Sequence, residues 1–169
     1  MSELPSFVID KKTVAEVDEL ASIPSDLEDY LKTTMKTMRS KHGSLYRLIR
    51  STARNQKDWT AYALAASLSF DIFDRQLEKE EMATFISDDD VESYCKLVEE
   101  CMIPEVDAQG NVMHAPDFSA HLEMIGDNSP EFMTYLTNVC FETFKDNASR
   151  SSFIRGICDV AIPFFHKLN

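Results

Sequence analysis

Apolar residues recur at every third or fourth position between Trp59 and Leu77, and this is the strongest periodic pattern in the chain. Such spacing places the residues on one face of an α-helix, and Asp58 stands where it can cap the first turn. We therefore predict that the longest helix of the protein lies here, and that its many alanines let other helices approach closely. Its apolar positions are Trp59, Ala63, Ala66, Phe70, Phe73 and Leu77.

Shorter patterns of the same kind predict helices along most of the remaining chain. A capping-box pattern at Thr13 and Glu16 precedes a short helix, and a second one at 25–28 precedes a longer helix. Gly126 is expected to end its helix in the left-handed conformation, and Pro163 to stop the last helix. The expected helices after the first are 27–42, 44–54, 59–77, 88–102, 118–125, 130–143 and 153–162, with a break at 147–152.

Glycine and proline are scarce, with 4 and 6 residues among 169. A sheet-rich protein needs many turns, which favour these residues, so sandwiches and barrels are disfavoured. We predict an all-α fold, a single compact multi-helix bundle of about six to eight helices. Residues 1–24 are expected to form an N-terminal arm or short helix, and residues 25–169 a single helical domain. That domain comprises a basic helical pair over 25–57 and an acidic helical remainder over 58–169.

The helical pattern is interrupted after Pro104, where the chain is rich in turn-forming residues. The sequence predicts a turn at 108–111, flanked by Val106 and Val112. A small hairpin near 105–113 is therefore the alternative to an irregular loop. At the N-terminus, Phe7-Val8-Ile9 is typical of a short strand or extended arm.

Charge is unevenly distributed along the chain. The whole protein carries a formal charge of -12, yet the stretch from Lys32 to Lys57 contains eight Lys or Arg and no acid. Six of these cations fall at helical spacing and are expected to form one exposed face, which we call the cationic surface and propose as a partner-binding site. Its members are Lys32, Lys36, Arg39, Arg47, Arg50 and Arg54.

Three interpretations of the cationic surface remain open at this stage. The residues can pair with acids of the same chain or simply be solvated, or they can bind an acidic partner or a second copy in a homo-oligomer. A nucleic-acid backbone is the third option, but the acidic remainder would repel it and few aromatics are interleaved for base stacking.

The chain shows no signal for export or for a membrane. No stretch approaches the roughly 20 apolar residues of a spanning helix, and the N-terminus lacks the features of a signal peptide. Cys95, Cys101, Cys140 and Cys158 stand apart without paired spacing, so we expect reduced thiols, no disulfide framework and no zinc site. We predict a cytoplasmic location, in the host cytoplasm if the protein is viral.

No pattern in the sequence indicates catalysis, and we expect no cofactor, no metal and no enzymatic activity. Glycine-rich phosphate loops and nucleophile elbows are absent from the sequence. The Asp107-x-Gln109-x-Asn111 run lacks the glycine position and the final acid of a calcium loop. Pro116 separates His114 from His121, and the acids at 88–90 are typical of a helix N-terminus.

The segment from Lys96 to Phe144 resembles the tail assembly chaperones of long-tailed bacteriophages. The resemblance rests on a helix followed by a Val-Asp-x-x-Gly-Asn turn, a short helix with a Gly, a Ser-Pro start and a final helix. The matching positions are Val106, Asp107, Gly110, Asn111, Asp117, Leu122, Ile125, Gly126, Ser129, Pro130 and Leu136.

The resemblance implies a non-enzymatic protein that keeps a long helical tape measure protein soluble and helps to recruit tail tube subunits. Seven methionines after residue 30 suit a holdase, because Met adapts to varied apolar surfaces; ordinary core packing is the alternative for most of them. Two other functions remain alternatives. One is an acidic inhibitor, or nucleic-acid mimic, that blocks another protein, as counter-defence factors do. The other is a structural virion protein that oligomerises through opposite charges.

Overall fold

The computed structural model describes residues 9–21, 27–81, 86–106 and 108–168, and these residues form eight helices and one two-stranded sheet. The predicted all-α bundle is confirmed. The helices are α1 (Lys11–Ala21), α2 (Leu27–Lys41), α3 (Gly43–Ala53), α4 (Trp59–Lys79), α5 (Asp88–Glu100), α6 (Ser119–Asn128), α7 (Pro130–Thr143) and α8 (Asn147–Leu168), and the strands are β1 (Met102–Val106) and β2 (Val112–Pro116).

Helices α4 and α8 pack along each other and form the centre of the bundle. Gly156 lies at their closest approach, where an added Cβ would stand 2.5 Å from the Tyr62 carbonyl oxygen and 2.8 Å from Ala65 Cβ. The N-termini of the two helices are also tied together, because Asp58 caps α4 through the Ala61 amide (3.0 Å) and accepts a bond from Ser149 Oγ (2.6 Å). Small residues on α4 therefore permit close packing, as the sequence indicated.

Helix α8 corrects three predictions. It spans 22 residues against 21 for α4, so α4 is not the longest helix among the described residues. The predicted break at 147–152 is wrong, because the Asp146 carboxylate accepts the Ser149 amide at 2.8 Å and starts the helix there. The predicted stop at Pro163 is also wrong, since the chain stays helical to Leu168.

Helix α4 is buried on nearly all sides rather than along one stripe. Helices α1, α2, α3 and α8 pack around it, and every residue from Leu64 to Phe70 is buried. Trp59, which the periodicity placed inside, is 64% exposed because it precedes the buried run that begins at Ala61. Phe73 lies in the middle of an aromatic cluster with Phe132, Phe164 and Phe165.

Helix α1 packs against α4 and α7, and its start differs from the prediction. Asp10, not Thr13, is the capping residue, since its carboxylate accepts the Thr13 amide at 2.7 Å. That bond, first among several causes, lowers the pKa of Asp10. Thr13 is fully buried and donates its hydroxyl to Gln76 of α4 at 2.8 Å, which fixes α1 on the central helix.

Helix α5 begins at a capping box between Ser87 and Asp90, and it ends at Glu100. The predicted extension to Met102 is wrong, because the chain turns into β1 and leaves Met102 40% exposed. Strands β1 and β2 pair antiparallel from Met102↔Pro116 to Val106↔Val112, so the alternative of a hairpin holds over the irregular loop, with a span wider than 105–113. Gly110 lies in its turn with φ +85°, a conformation that favours glycine.

Helices α6 and α7 meet at Ser129, and Pro130 occupies the first turn of α7 as predicted. Gly126 lies inside α6 without a positive φ, so the predicted left-handed cap is wrong. Phe132, Leu136 and Cys140 are buried on α7, and Thr143 is exposed because the helix ends there. Two further expectations, a strand at Phe7-Val8 and the cap at Ser25, lie outside the described residues.

Candidate partner-binding surface

Helices α2 and α3 are joined by a single residue, His42, and so form one tight corner. His42 is buried, and its ring meets Phe70 of α4 edge-on with centroids 5.5 Å apart. Met38 on α2, with Leu45 and Ile49 on α3, is also buried. Because these residues fix the inner face of each helix, the opposite faces are turned to solvent.

All six residues of the cationic surface are exposed on these opposite faces. Lys32, Lys36 and Arg39 lie on α2. Arg47 and Arg50 lie on α3, and Arg54 is the residue directly after it. The Arg39 guanidinium carbon lies 5.9 Å from the Tyr46 ring centroid, which joins the two rows at the corner between the helices. The six predicted residues are therefore all exposed, on or next to two adjacent helices.

Little of this positive charge is neutralised within the described part of the chain. Lys32 meets Glu28 at 3.3 Å, an exposed pair of the kind that contributes little. Arg47 donates to Ser44 Oγ at 3.2 Å, and that hydroxyl donates in turn to Asp88. The members of the surface without an ion pair to a described residue are Lys36, Arg39, Arg47, Arg50 and Arg54.

Lys41 behaves differently from its neighbours on α2. Its ammonium bonds to Asp74 at 3.0 Å and to Glu78 at 3.0 Å on α4. Burial opposes its charge, but the hydrogen bonds with Glu78 and Asp74 outweigh this and raise the pKa of Lys41. Lys41 therefore holds α2 to α4.

A cleft of about 510 Å³ lies between α2 and α4, next to Lys41. The carboxylate of Asp71 stands in its wall and accepts bonds from Tyr30 Oη and Arg75 Nε, both at 2.9 Å. Burial, and then the charge of Asp71, raises the pKa of Tyr30. The polar groups of Tyr30, Asp71 and Arg75 already hydrogen-bond to one another. A ligand in the cleft would have to replace these hydrogen bonds with its own.

A carboxylate that the sequence analysis did not single out lies in the centre of the bundle. Asp159 of α8 is fully buried and accepts bonds from Tyr62 Oη of α4 (2.6 Å), from Tyr94 Oη of α5 and from Arg155 Nε (2.9 Å). Burial and then the Asp159 charge raise the pKa of both tyrosines. The sequence does contain a sign of this buried carboxylate, because Asp159 is the lone acid in the apolar run from 156 to 165.

This network ties α4 and α5 to α8. Both oxygens of Asp159 accept hydrogen bonds, Oδ1 from Tyr94 and Arg155 and Oδ2 from Tyr62. The neighbouring Cys158 is buried, and that burial raises the pKa of its thiol, which opposes thiolate formation. A smaller cleft of about 220 Å³ opens between α5 and α8 near Tyr94 and Pro163.

The described residues hold no group of three or more His, Cys, Asp or Glu side chains placed to bind a metal ion. All four cysteines are free thiols. In the part of the chain that the structure covers, no helix is both long enough and apolar enough to cross a bilayer.

Comparison with known proteins returned no match: no family model, no curated protein and no solved structure resembles this chain significantly.

Proposed function

We propose that the protein is a non-enzymatic protein-binding module whose cationic surface receives an acidic face of a helical partner. Tail assembly chaperones, which the segment 96–144 resembles, offer the model for this activity. In that setting the partner is a long tape measure protein, and tail tube subunits are a second class of partner.

One observation carries the proposal. Five exposed cations on α2 and α3 lack an ion pair among the described residues, although the rest of the chain supplies many acids. An unneutralised patch of one sign on a protein of the other sign favours encounter with a partner of complementary charge. The patch spans a rigid corner, because α2 and α3 are fixed by buried residues on their inner faces.

Exposed apolar side chains outside the cationic surface support the idea of a client holder. Met102 and Met124 are 40% and 41% exposed, and both belong to the segment that carries the resemblance. Met38 is buried instead and serves the core. Met82 and the Met113 side chain lie outside what the structure describes.

Charge reversal on α3 tests the proposal directly. The variant Arg47→Glu, Arg50→Glu, Arg54→Glu should retain its helical circular dichroism, because the three side chains are exposed. We expect it to lose at least tenfold in affinity for a purified tape measure protein, measured by isothermal titration calorimetry. A tenfold loss corresponds to about 1.4 kcal/mol.

The matched control reverses three exposed cations elsewhere, as Lys11→Glu, Lys12→Glu, Lys145→Glu. The control carries the same net charge as the test variant. Equal losses of affinity in the two variants would mean that overall charge causes the effect, and would reject the cationic surface as the binding site. Unchanged affinity in the α3 variant would reject it as well.

The alternative functions are separated by the identity of the partner. Recovery of a nuclease or polymerase from the native host, in place of tail proteins, would favour an inhibitor or nucleic-acid mimic. Self-association that disappears as salt rises would favour a structural protein assembled through opposite charges.

A further inference from the structure

Trp59 is the single tryptophan of the chain and the first residue of α4. It is 64% exposed, more than any other aromatic residue among those that the structure describes. No hydrogen bond joins its indole N–H to another described residue. Tryptophan is well buried in most folded proteins, and at protein interfaces it is one of the residues that contribute most to affinity. The position of Trp59 therefore suits contact with another molecule.

The cationic surface leads along the chain to Trp59. Arg54 is its last member, and the turn that follows is compact, because the Asn55 amide donates to the Thr52 carbonyl at 3.0 Å. Exposed residues continue through this turn at Asn55 and Lys57 as far as Trp59. The Cα atoms of Arg54 and Trp59 lie at most about 18 Å apart, because only five peptide units join them. A partner helix that lies on Arg54 can therefore reach the indole within about three further turns.

The charged residues next to Trp59 in the chain are not equivalent. The Asp58 carboxylate is engaged at the starts of α4 and α8, where it accepts the Ala61 amide at 3.0 Å and the Ser149 hydroxyl at 2.6 Å. Lys57 is exposed and has no ion pair with a described residue. The cation is therefore available to a partner, whereas the carboxylate already has its hydrogen-bond donors.

We propose that Trp59 extends the cationic surface as its apolar anchor, and that the partner is an acidic amphipathic helix with a large apolar residue that packs on the indole. This inference rests on the proposed function. The row from Arg47 to Arg54 covers two helical turns, about 10 Å, and carboxylates spaced over two turns of a partner helix match it. The guanidinium groups and the indole N–H are all donors, so each selects an acceptor, which an acidic helix supplies and a basic one does not.

Fluorescence quenching of the free protein tests whether the indole belongs to the cationic surface, since Trp59 is the sole tryptophan. Iodide and caesium are compared, each relative to its quenching of N-acetyltryptophanamide. On a protein of net charge -12, caesium should be the better quencher of an indole remote from the cations. We expect iodide to be better by about twofold, and Arg47→Glu, Arg50→Glu, Arg54→Glu to cancel this preference. Better quenching of the wild type by caesium would overturn the proposal.

Two designed helical peptides without tryptophan test the partner. Both carry a row of glutamates over two turns of one face, and only one has leucines in place of alanines in the three turns that follow. By isothermal titration calorimetry the leucine peptide should bind the wild type about tenfold more tightly than the alanine peptide, and it should shift the Trp59 emission to the blue. Trp59→Ala should remove the preference for leucine. Val112→Ala, at a residue that is 65% exposed elsewhere, is the matched control and should keep it.

The outcomes separate this inference from the proposed function. Equal affinity for the two peptides, or an unchanged emission of Trp59 on binding, would overturn the role of Trp59 while the cationic surface stands. Failure of both peptides to bind would overturn this inference and the acidic helical partner together. A single-stranded oligonucleotide that binds more tightly than the leucine peptide at the same ionic strength would also overturn the proposal, and would point to a base that stacks on the indole.

Discussion

At the residue scale, Asp159 determines how three helices are held. It is the only fully buried carboxylate among the described residues, and it gathers hydroxyls from α4 and α5 while pairing with Arg155 on its own helix. A buried charge is tolerated only when its partners remain in place, because an unpaired group in the interior forfeits its hydration without compensation. The network therefore specifies the position of α5 more than it adds stability.

Removal of this carboxylate should be costly. Asp159→Ala leaves two buried hydroxyls and a largely buried guanidinium without their acceptor, and we expect a loss of about 3–5 kcal/mol in the free energy of unfolding. Urea denaturation followed by circular dichroism measures it. Glu28→Ala breaks an exposed pair and should cost under about 1 kcal/mol. Similar losses in the two variants would contradict the role given to Asp159.

The same network predicts a loss of stability in alkali. Burial and Asp159 raise the pKa of Tyr94 above its ordinary 10.0, so in the folded protein it stays neutral while the unfolded chain ionises. The stabilising contribution is complete below pH 10.0 and is lost as pH rises above it. Above that pH, the unfolding free energy of the wild type should fall more steeply than that of Tyr94→Phe, by about 1.4 kcal/mol per pH unit. Parallel slopes in urea titrations would refute this.

At the element scale, the contact of α4 with α8 depends on Gly156. The backbone of α4 passes so close that a Cβ would stand 2.5 Å from the Tyr62 carbonyl oxygen. Gly156→Ala must push the helices apart and should cost about 1–3 kcal/mol, by the same urea assay. Gly43, the first residue of α3, has open space around it, so Gly43→Ala should be neutral or slightly stabilising. A stable Gly156→Ala protein would show that this contact gives way easily.

The sequence predicted helix starts and turns correctly where residues close in the chain determine them. Asp58 and Ser87 start helices because their side chains bond the first amides, and the turn at Gly110 needs a left-handed residue. The errors arise where neighbours decide. Pro163 stays helical because the residues of α8 around it are buried. Trp59 was placed inside wrongly, because periodicity does not show at which residue the neighbouring helices begin to cover α4.

At the scale of the whole molecule, the sequence located the cationic surface but could not establish its electrostatic state. Spacing alone placed the six cations on outward faces of α2 and α3. Whether an acid of another helix neutralises such a cation depends on the tertiary fold. Lys41 bonds to Asp74, whereas Lys36 has no ion pair with a described residue.

The reactivity of two buried cysteines can report whether the whole bundle unfolds cooperatively. Cys140 on α7 and Cys158 on α8 are buried, and burial raises the pKa of each thiol, so neither should react with a thiol reagent in the native protein. Because α7 packs on α8 and both belong to one core, unfolding should expose them together. A variant with Cys95→Ser and Cys101→Ser isolates their signals. In increasing urea, both should become reactive at the midpoint of the circular dichroism transition. Reaction of Cys140 at clearly lower urea than Cys158 would mean that α7 detaches first and that the chain unfolds in more than one step.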